Sequence, residues 1–322
     1  MAENNKNKGK IVCVTGAGGF VGSWLVKILL SYNYTVHGTV RDPLDEKNAH
    51  LKSLEKEYKN LKLFKADLLD YESLCAAITG CDGVFHNASP VPSSSVPNPE
   101  VEVIEPAVNG TLNVLKACCE VNVKKVVYVS SIAAIMVLPN RPTDRPLDET
   151  FWSDQEFCKS NNEWYCLSKT QAESQAWEFS KRNDIDFVSV CPSLVIGPML
   201  QNTINTSSMI LMKLLKEGNE VENRPKLVVD VRDLAEALIL VYEKPEANGR
   251  YICSSHEDRT KEFVEILKKH YPDYKYPTKF IEPKGIFTVT SAKLQKLGWS
   301  YRPLEETLVD SVNNYAQNGL LG

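Results

Sequence analysis

Long apolar runs are missing from this sequence. The most apolar one, "VVYVSSIAAIMVL", is shorter than the roughly 18 to 20 residues a membrane helix needs, and serines interrupt it. The opening "MAENNKNKGK" has no apolar stretch behind its lysines, so residues 1–9 are expected to be a short disordered leader and not a secretory signal. The nine cysteines never fall as CxxC and the five histidines never as HxxxH, so neither a metal site nor a disulfide scaffold is expected, and a reducing, cytoplasmic setting fits. An excess of one charge is also lacking. With 41 acids, 37 bases and a net charge of -4, no basic face for nucleic acid or anionic lipid shows in the totals. What remains is a globular chain, monomer or homodimer, whose partner is expected to be small.

At 322 residues the chain exceeds an average domain of roughly 100 to 200 residues, which suggests a large α/β domain with an appended lobe. From residue 10, β-branched runs ("KIVCVT", "YTVHGTVR", "LKLFKADL", "GVFHNAS", "KKVVYVSS") alternate with helical patterns, as βαβ units around a parallel sheet do. The expected fold is α/β: a Rossmann-type doubly wound parallel sheet over residues 10–195, to which elements of 225–245 return. Residues 196–322 are read mostly as a smaller substrate-binding lobe. The segment after Ser131, to about residue 162, is long for a loop and is expected to be lid-like.

"VTGAGGFVGSW" places Gly16, Gly19 and Gly22 after a strand and at the mouth of a helix. Glycines there permit a tight turn and a close backbone approach to a pyrophosphate, while the free N–H groups of the helix start, at Phe20 and Val21, favour an anion. Where an acid would bind the ribose 2′-hydroxyl of NAD, this chain has Arg41, whose guanidinium suits the 2′-phosphate of NADP(H). Lys47 is either a second phosphate partner or part of a solvated helix face.

Tyrosine four residues before lysine occurs three times, as Tyr58/Lys62, Tyr165/Lys169 and Tyr271/Lys275. The first straddles a helix end and the last contains Pro272. Only Tyr165/Lys169 is expected on one helical face, and it alone follows a strand ending in serines. The chemistry fits a carbonyl reductase: the alkoxide left by hydride addition needs a proton, which a phenol gives once a nearby cation such as Lys169 favours its ionised form. Ser131 is the expected donor to the carbonyl oxygen, with Ser130 as its rival because adjacent strand residues face opposite sides.

The glycine turn, Arg41, "SS", "WYCLSK" and "CPSLVIGP", in this order and with "ADLLD", "CDGVFHNASP" and "LGWSYRPLEETL" between and after them, resemble the extended short-chain dehydrogenase/reductases. Within these the chain is similar to the plant cinnamoyl-CoA reductase and dihydroflavonol reductase branch. The resemblance implies a catalytic triad of Ser131, Tyr165 and Lys169. For the cofactor NADP(H) it implies Arg41 and Lys47 at the 2′-phosphate, Asp67 and Leu68 at the adenine, and Asn87, Ala88 and Ser89 at the ribose and pyrophosphate. Pro192, Ser193, Leu194 and Val195 would lie at the nicotinamide, and Ser207 would be a further cofactor contact.

Cinnamoyl-CoA reductases look like NWYCYGK where this chain reads "EWYCLSK", and Ile210 stands where they have a histidine associated with the CoA ester, although Lys213 matches. Dihydroflavonol reductases carry asparagine where this chain has Met136. The expected activity is therefore NADPH-dependent reduction of a cinnamaldehyde-type aromatic aldehyde, with Met136 and Ile210 joining Ser131 and Tyr165 around the substrate. Reduction of the CoA ester, then of a dihydroflavonol-type ketone, are the alternatives, and an NADP(H)-sensing regulator is the alternative outside enzymes. Cys158 and Cys166 have the spacing of a pair that can form a disulfide in cinnamoyl-CoA reductases; two reduced, packed thiols are the other reading.

Overall fold

Short β-branched runs and amphipathic segments alternate along the chain, and strands and helices follow them. The computed structural model describes residues 7, 9–90, 97–216, 218 and 220–321. It begins with β1 (Ile11–Thr15), α1 (Phe20–Ser31), β2 (Thr35–Val40), α2 (Ala49–Glu57), β3 (Leu61–Lys65), α3 (Tyr71–Ile78) and β4 (Gly83–His86). A π-helical turn at Glu100–Ile104 runs without a break into α4 (Glu105–Glu120), and Pro106, which has no N–H to donate, lies just past that turn. Then come β5 (Lys125–Val129), α5 (Gln155–Ser160), α6 (Trp164–Arg182), β6 (Asp186–Pro192), β7 (Leu194–Ile196) and α7 (Thr206–Lys216). The remainder holds β8 (Glu220–Glu222), β9 (Val228–Asp230), α8 (Val231–Glu243), β10 (Gly249–Cys253), α9 (Thr260–His270), β11 (Lys279–Ile281), α10 (Ala292–Lys296) and α11 (Leu304–Gln317). The leader read over residues 1–9 lies outside the described residues except for Asn7 and Gly9. Asn7 is buried, and its amide donates to Glu243 at 3.0 Å.

Seven strands form one parallel sheet in the order β10-β6-β5-β4-β1-β2-β3. Side chains alternate across it. Val12, Val14, Phe85 and Val127 pack on one face with α1 and α8, while Cys13, Val84, Val126 and Tyr128 pack on the other with α3, α4 and α6. The chain runs outward from β1 to β3, then restarts on the opposite side at β4. The carboxyl ends of β1 and β4 therefore flank a crevice at the point where the strand order reverses, the usual ligand position in such sheets.

The C-terminal part gives α8 and the edge strand β10 to this sheet and builds a second core from Ile196, Leu211, Leu215, Phe263, Leu308, Val312 and Tyr315. Two small parallel pairs, β7 with β9 and β8 with β11, brace that lobe. The 132–162 segment contains α5 and a short 3-10 turn, and is tied down by an isolated bridge between Leu147 and Val289. Among the described residues no helix is long and apolar enough to cross a membrane.

Candidate active site

The glycine turn has glycine where a side chain cannot fit. Gly16 adopts φ +68°, and a β-carbon on Gly22 would overlap the carbonyl oxygen of Gly16 and lie 3.0 Å from the Asn87 amide nitrogen. α1 starts at Gly19 with no side-chain cap, so Phe20 and Val21 open the helix without a protein side chain on its N-terminus. Thr15 Oγ1 accepts from the backbone N–H groups of Asn87 and Ala88, each at 3.1 Å, drawing the 87–89 segment onto the turn.

Arg41 is exposed just past β2, and Lys47 pairs with Asp45 at 2.7 Å. Asn48, which the sequence did not single out, fills the space that a side chain on Gly18 would occupy and donates to the Asp42 carbonyl at 2.8 Å. It folds the 41–48 loop, with both cations, against the glycine turn. Asp67 is exposed and accepts from Leu69 N at 2.9 Å, while Leu68 packs beside Gly110 of α4 and accepts from Asn113 at 3.0 Å.

At the end of β6, Pro192 and the following Ser193 are buried; Ser193 N donates to Cys253 O and Leu194 N to Leu227 O, both at 3.0 Å, with Val195 following in β7. The Ser193 hydroxyl is buried without a hydrogen-bond partner. Ser207, in the first turn of α7, accepts from Asn205 at 2.6 Å. An uncapped helix start, two cations folded beside it and a buried hydroxyl with unused capacity fit a phosphate-bearing dinucleotide.

Ser131 opens the 3-10 turn Ile132–Ala134: its Oγ accepts from Ala133 N at 3.1 Å, and its side chain lies close enough to the Tyr165 phenol to favour the ionised form. Ser130 points elsewhere, donating to Glu173 at 2.7 Å in the interior. This geometry separates the two serines. Tyr165 is half-buried in the first turn of α6; burial pushes its phenol up, the Ser131 side chain pulls it down, and Cys166 raises it. Lys169, 4% exposed, donates from Nζ to the Val129 carbonyl at 3.3 Å and lies 5.8 Å from the centre of the Tyr128 ring. Burial lowers it to about 8, against an upward pull from Glu173 and Cys191.

The phenol is thus raised, chiefly by burial, and Lys169, whose ammonium donates to the Val129 carbonyl, is not among the groups that lower it as the sequence reading expected. The other two tyrosine–lysine pairs fall apart as expected. Tyr58 ends α2 while Lys62 is in β3, and Tyr271 already lies past α9.

On the substrate side, Met136 is partly buried between two apolar clusters and its carbonyl accepts from Arg141 at 2.8 Å; Ile210 is 37% exposed on α7. Trp152 stacks against the Arg250 guanidinium 3.7 Å away, Phe151 joins the apolar cluster with Ile132 and Val289, and Trp164 packs beside Cys158 and Cys166. Both cysteines are free, buried thiols. Burial and nearby carboxylates push Cys158 up to about 11 and Cys166 up to about 12.

His86 is fully enclosed and is lowered to about 3 by burial, then by the charge of Lys169. Its Nδ1 meets Thr15 Oγ1 at 2.8 Å and its Nε2 meets Thr111 Oγ1 at 3.2 Å. Thr15 already accepts two N–H groups, and Thr111 spends its proton on the Ala107 carbonyl. Thr15 therefore donates to Nδ1, and a neutral, Nε2-protonated ring donates to Thr111.

A doubly wound parallel sheet, a glycine turn at its switch point and a serine–tyrosine pair beside the crevice define a nucleotide-dependent α/β oxidoreductase. The model of the NAD dependent epimerase/dehydratase family matches residues 12–253, and the chain belongs to that family, in its extended short-chain dehydrogenase/reductase division. It is 48% identical to cinnamoyl-CoA reductase 1 of Petunia hybrida, over 97% of this chain and 94% of that one. Vestitone reductase from alfalfa superposes with a TM-score of 0.82 at 31% identity, covering 97% and 99% of the two chains. The yeast methylglyoxal/isovaleraldehyde reductase Gre2, complexed with NADPH, gives 0.84 at 26% identity over 96% and 99%. The protein is an NADP(H)-dependent reductase.

Proposed function

We propose that this reductase acts on a cinnamoyl-type carbonyl, the CoA thioester before the free aldehyde. The observation that carries this is the 48% identity with petunia cinnamoyl-CoA reductase along almost the whole chain. It favours the thioester over the aldehyde that the sequence pointed to first. The aldehyde remains the second reading on one observation: Ile210, exposed on α7, offers an apolar contact where the thioester signature has histidine.

Bound NADPH supplies the hydride. In this reading the glycine turn binds the pyrophosphate, Arg41 and Lys47 the 2′-phosphate, and the 192–195 segment the nicotinamide end. Ser131 donates to the substrate carbonyl oxygen, Tyr165 holds the proton that an alkoxide takes, and Lys169 fixes that corner of the site with its charge. With a thioester, collapse of the tetrahedral adduct expels the thiolate and leaves the aldehyde; with an aldehyde, protonation completes the alcohol. A cytoplasmic setting belongs to the same reading, supported by nine cysteines that are all free thiols.

Cinnamoyl-CoA, a cinnamaldehyde and a dihydroflavonol, assayed side by side with NADPH, test the proposal. The highest kcat/KM is expected with cinnamoyl-CoA. A clear advantage for the aldehyde would establish the second reading, and turnover of none of the three would sink both.

A further inference from the structure

Directly beneath the candidate site lies a charge pair that the reaction above leaves unused. Glu173 sits one turn past Lys169 on α6 and is fully buried. Its Oε1 accepts from Arg250 Nε at 2.8 Å and Ser189 Oγ at 2.6 Å; its Oε2 accepts from Arg250 Nη2 at 3.1 Å and Ser130 Oγ at 2.7 Å. Arg250, on β10 and 7% exposed, spends Nη1 on the carbonyls of Glu149 (3.0 Å) and Phe151 (2.6 Å) and stacks on Trp152. One bidentate pair therefore joins the helix bearing Tyr165 and Lys169, the strand end bearing Ser131, the sheet edge and the loop on the substrate side. An apolar pair could serve stability as well as two buried charges do, so stability alone does not account for it.

We propose that Glu173 is a positioning residue of the catalytic site: its carboxylate, held by Arg250, Ser130 and Ser189, sustains the charge and place of Lys169, while Arg250 clasps the 149–152 loop. The proposal rests on the assignment of Tyr165 and Lys169 made above. The groups facing Lys169 are Glu173 on its own helix, Cys191 from β6, His86 from β4 and the Tyr128 ring and Val129 carbonyl from β5. His86 is neutral and Cys191 is held as a thiol by burial, which leaves Glu173 as the carboxylate opposing the loss of the Lys169 proton.

The test uses two variants that break the same pair with opposite signs. Glu173→Gln removes the negative charge, so the alkaline limb of kcat/KM against pH is expected to move down by about one unit or more. Arg250→Gln leaves that charge unmasked and is expected to move the limb up, whereas Glu173→Asp keeps the charge and should leave it in place. The Kd for NADP+, followed by quenching of protein fluorescence over the same pH range, should shift in step. Should Glu173→Gln fail to fold, an upward move in Arg250→Gln beside an unmoved limb in Glu173→Asp decides. Limbs that stay put, or move together, while both variants melt earlier would overturn the proposal and leave the pair structural. Tyr165→Phe in the same assay separates the underlying assignment: wild-type turnover there would refute that assignment itself.

Discussion

Tyr165 carries two opposing demands, because it must give up a proton during reduction yet sits where burial strengthens its hold on that proton. The Ser131 side chain, which favours the ionised form, is the relief. Tyr165→Phe keeps the ring and removes the proton, so a loss of roughly 10²- to 10⁴-fold in kcat/KM is expected, with NADP+ affinity little changed. Ser131→Ala should cost roughly 10²- to 10³-fold, as the loss of one oxyanion donor does. NADPH consumption with the best substrate, beside a binding titration, checks both; retained activity in either variant removes that residue from the mechanism. The sequence pointed to Ser131 with Ser130 as its rival, because alternation along a strand says that the two face opposite ways and not which way is in. Lys169 was legible as a residue and not as a direction: helical spacing placed it one turn from Tyr165, while its actual partner, the Val129 carbonyl, is 40 positions away.

The elements themselves were largely legible. Runs such as "KIVCVT" and "KKVVYVSS" are apolar on both faces, and the strands β1 and β5 lie where these runs do. β10 was not legible as a strand of the main sheet, because five residues with Arg250 among them show no sign of joining β6; the buried carboxylate of Glu173 and the Glu149 and Phe151 carbonyls make an arginine tolerable there. Asn48 was hidden for a similar reason, since its role depends on the missing side chain of Gly18 in a different loop. The glycine turn was readable because spacing and secondary structure agree, and it allows a sharp prediction. A methyl group on Gly22 must displace the carbonyl of Gly16, which is backbone and cannot swing aside. Gly22→Ala should therefore lose NADP+ affinity by more than about tenfold, since a 1 Å displacement at a pre-organised site is costly. A fluorescence titration with NADP+ measures this, and unchanged affinity would show that the turn does not form the expected cradle.

For the molecule as a whole, buried titratable groups set the pH range over which the fold holds. Between about 6.5 and about 3 the unfolded chain protonates the imidazole of His86 while the fold keeps it neutral. The contribution of His86 is thus present above its unfolded value and is lost as pH falls, by up to about 1.4 kcal/mol per unit. Lys169 has the same sign at higher pH: its folded value of about 8 lies below the unfolded one, so its cost is relieved as pH rises from 8 toward 10.5. The buried thiols oppose that relief. Cys13, Cys81, Cys118, Cys158, Cys166, Cys191 and Cys253 are all raised by burial, so the stability they contribute is present below 9 and is lost as pH rises through their folded values. One lysine cannot offset several thiols, and a plateau from about neutrality to pH 9 with a fall on either side follows. Urea unfolding across that range measures it. His86→Gln should flatten the acid side by about one proton's worth of slope, whatever it does to stability at pH 8. An acid slope unchanged by that substitution would mean that the Thr15–His86–Thr111 chain does not hold a neutral ring, and that the fold's acid limit lies in its carboxylates instead.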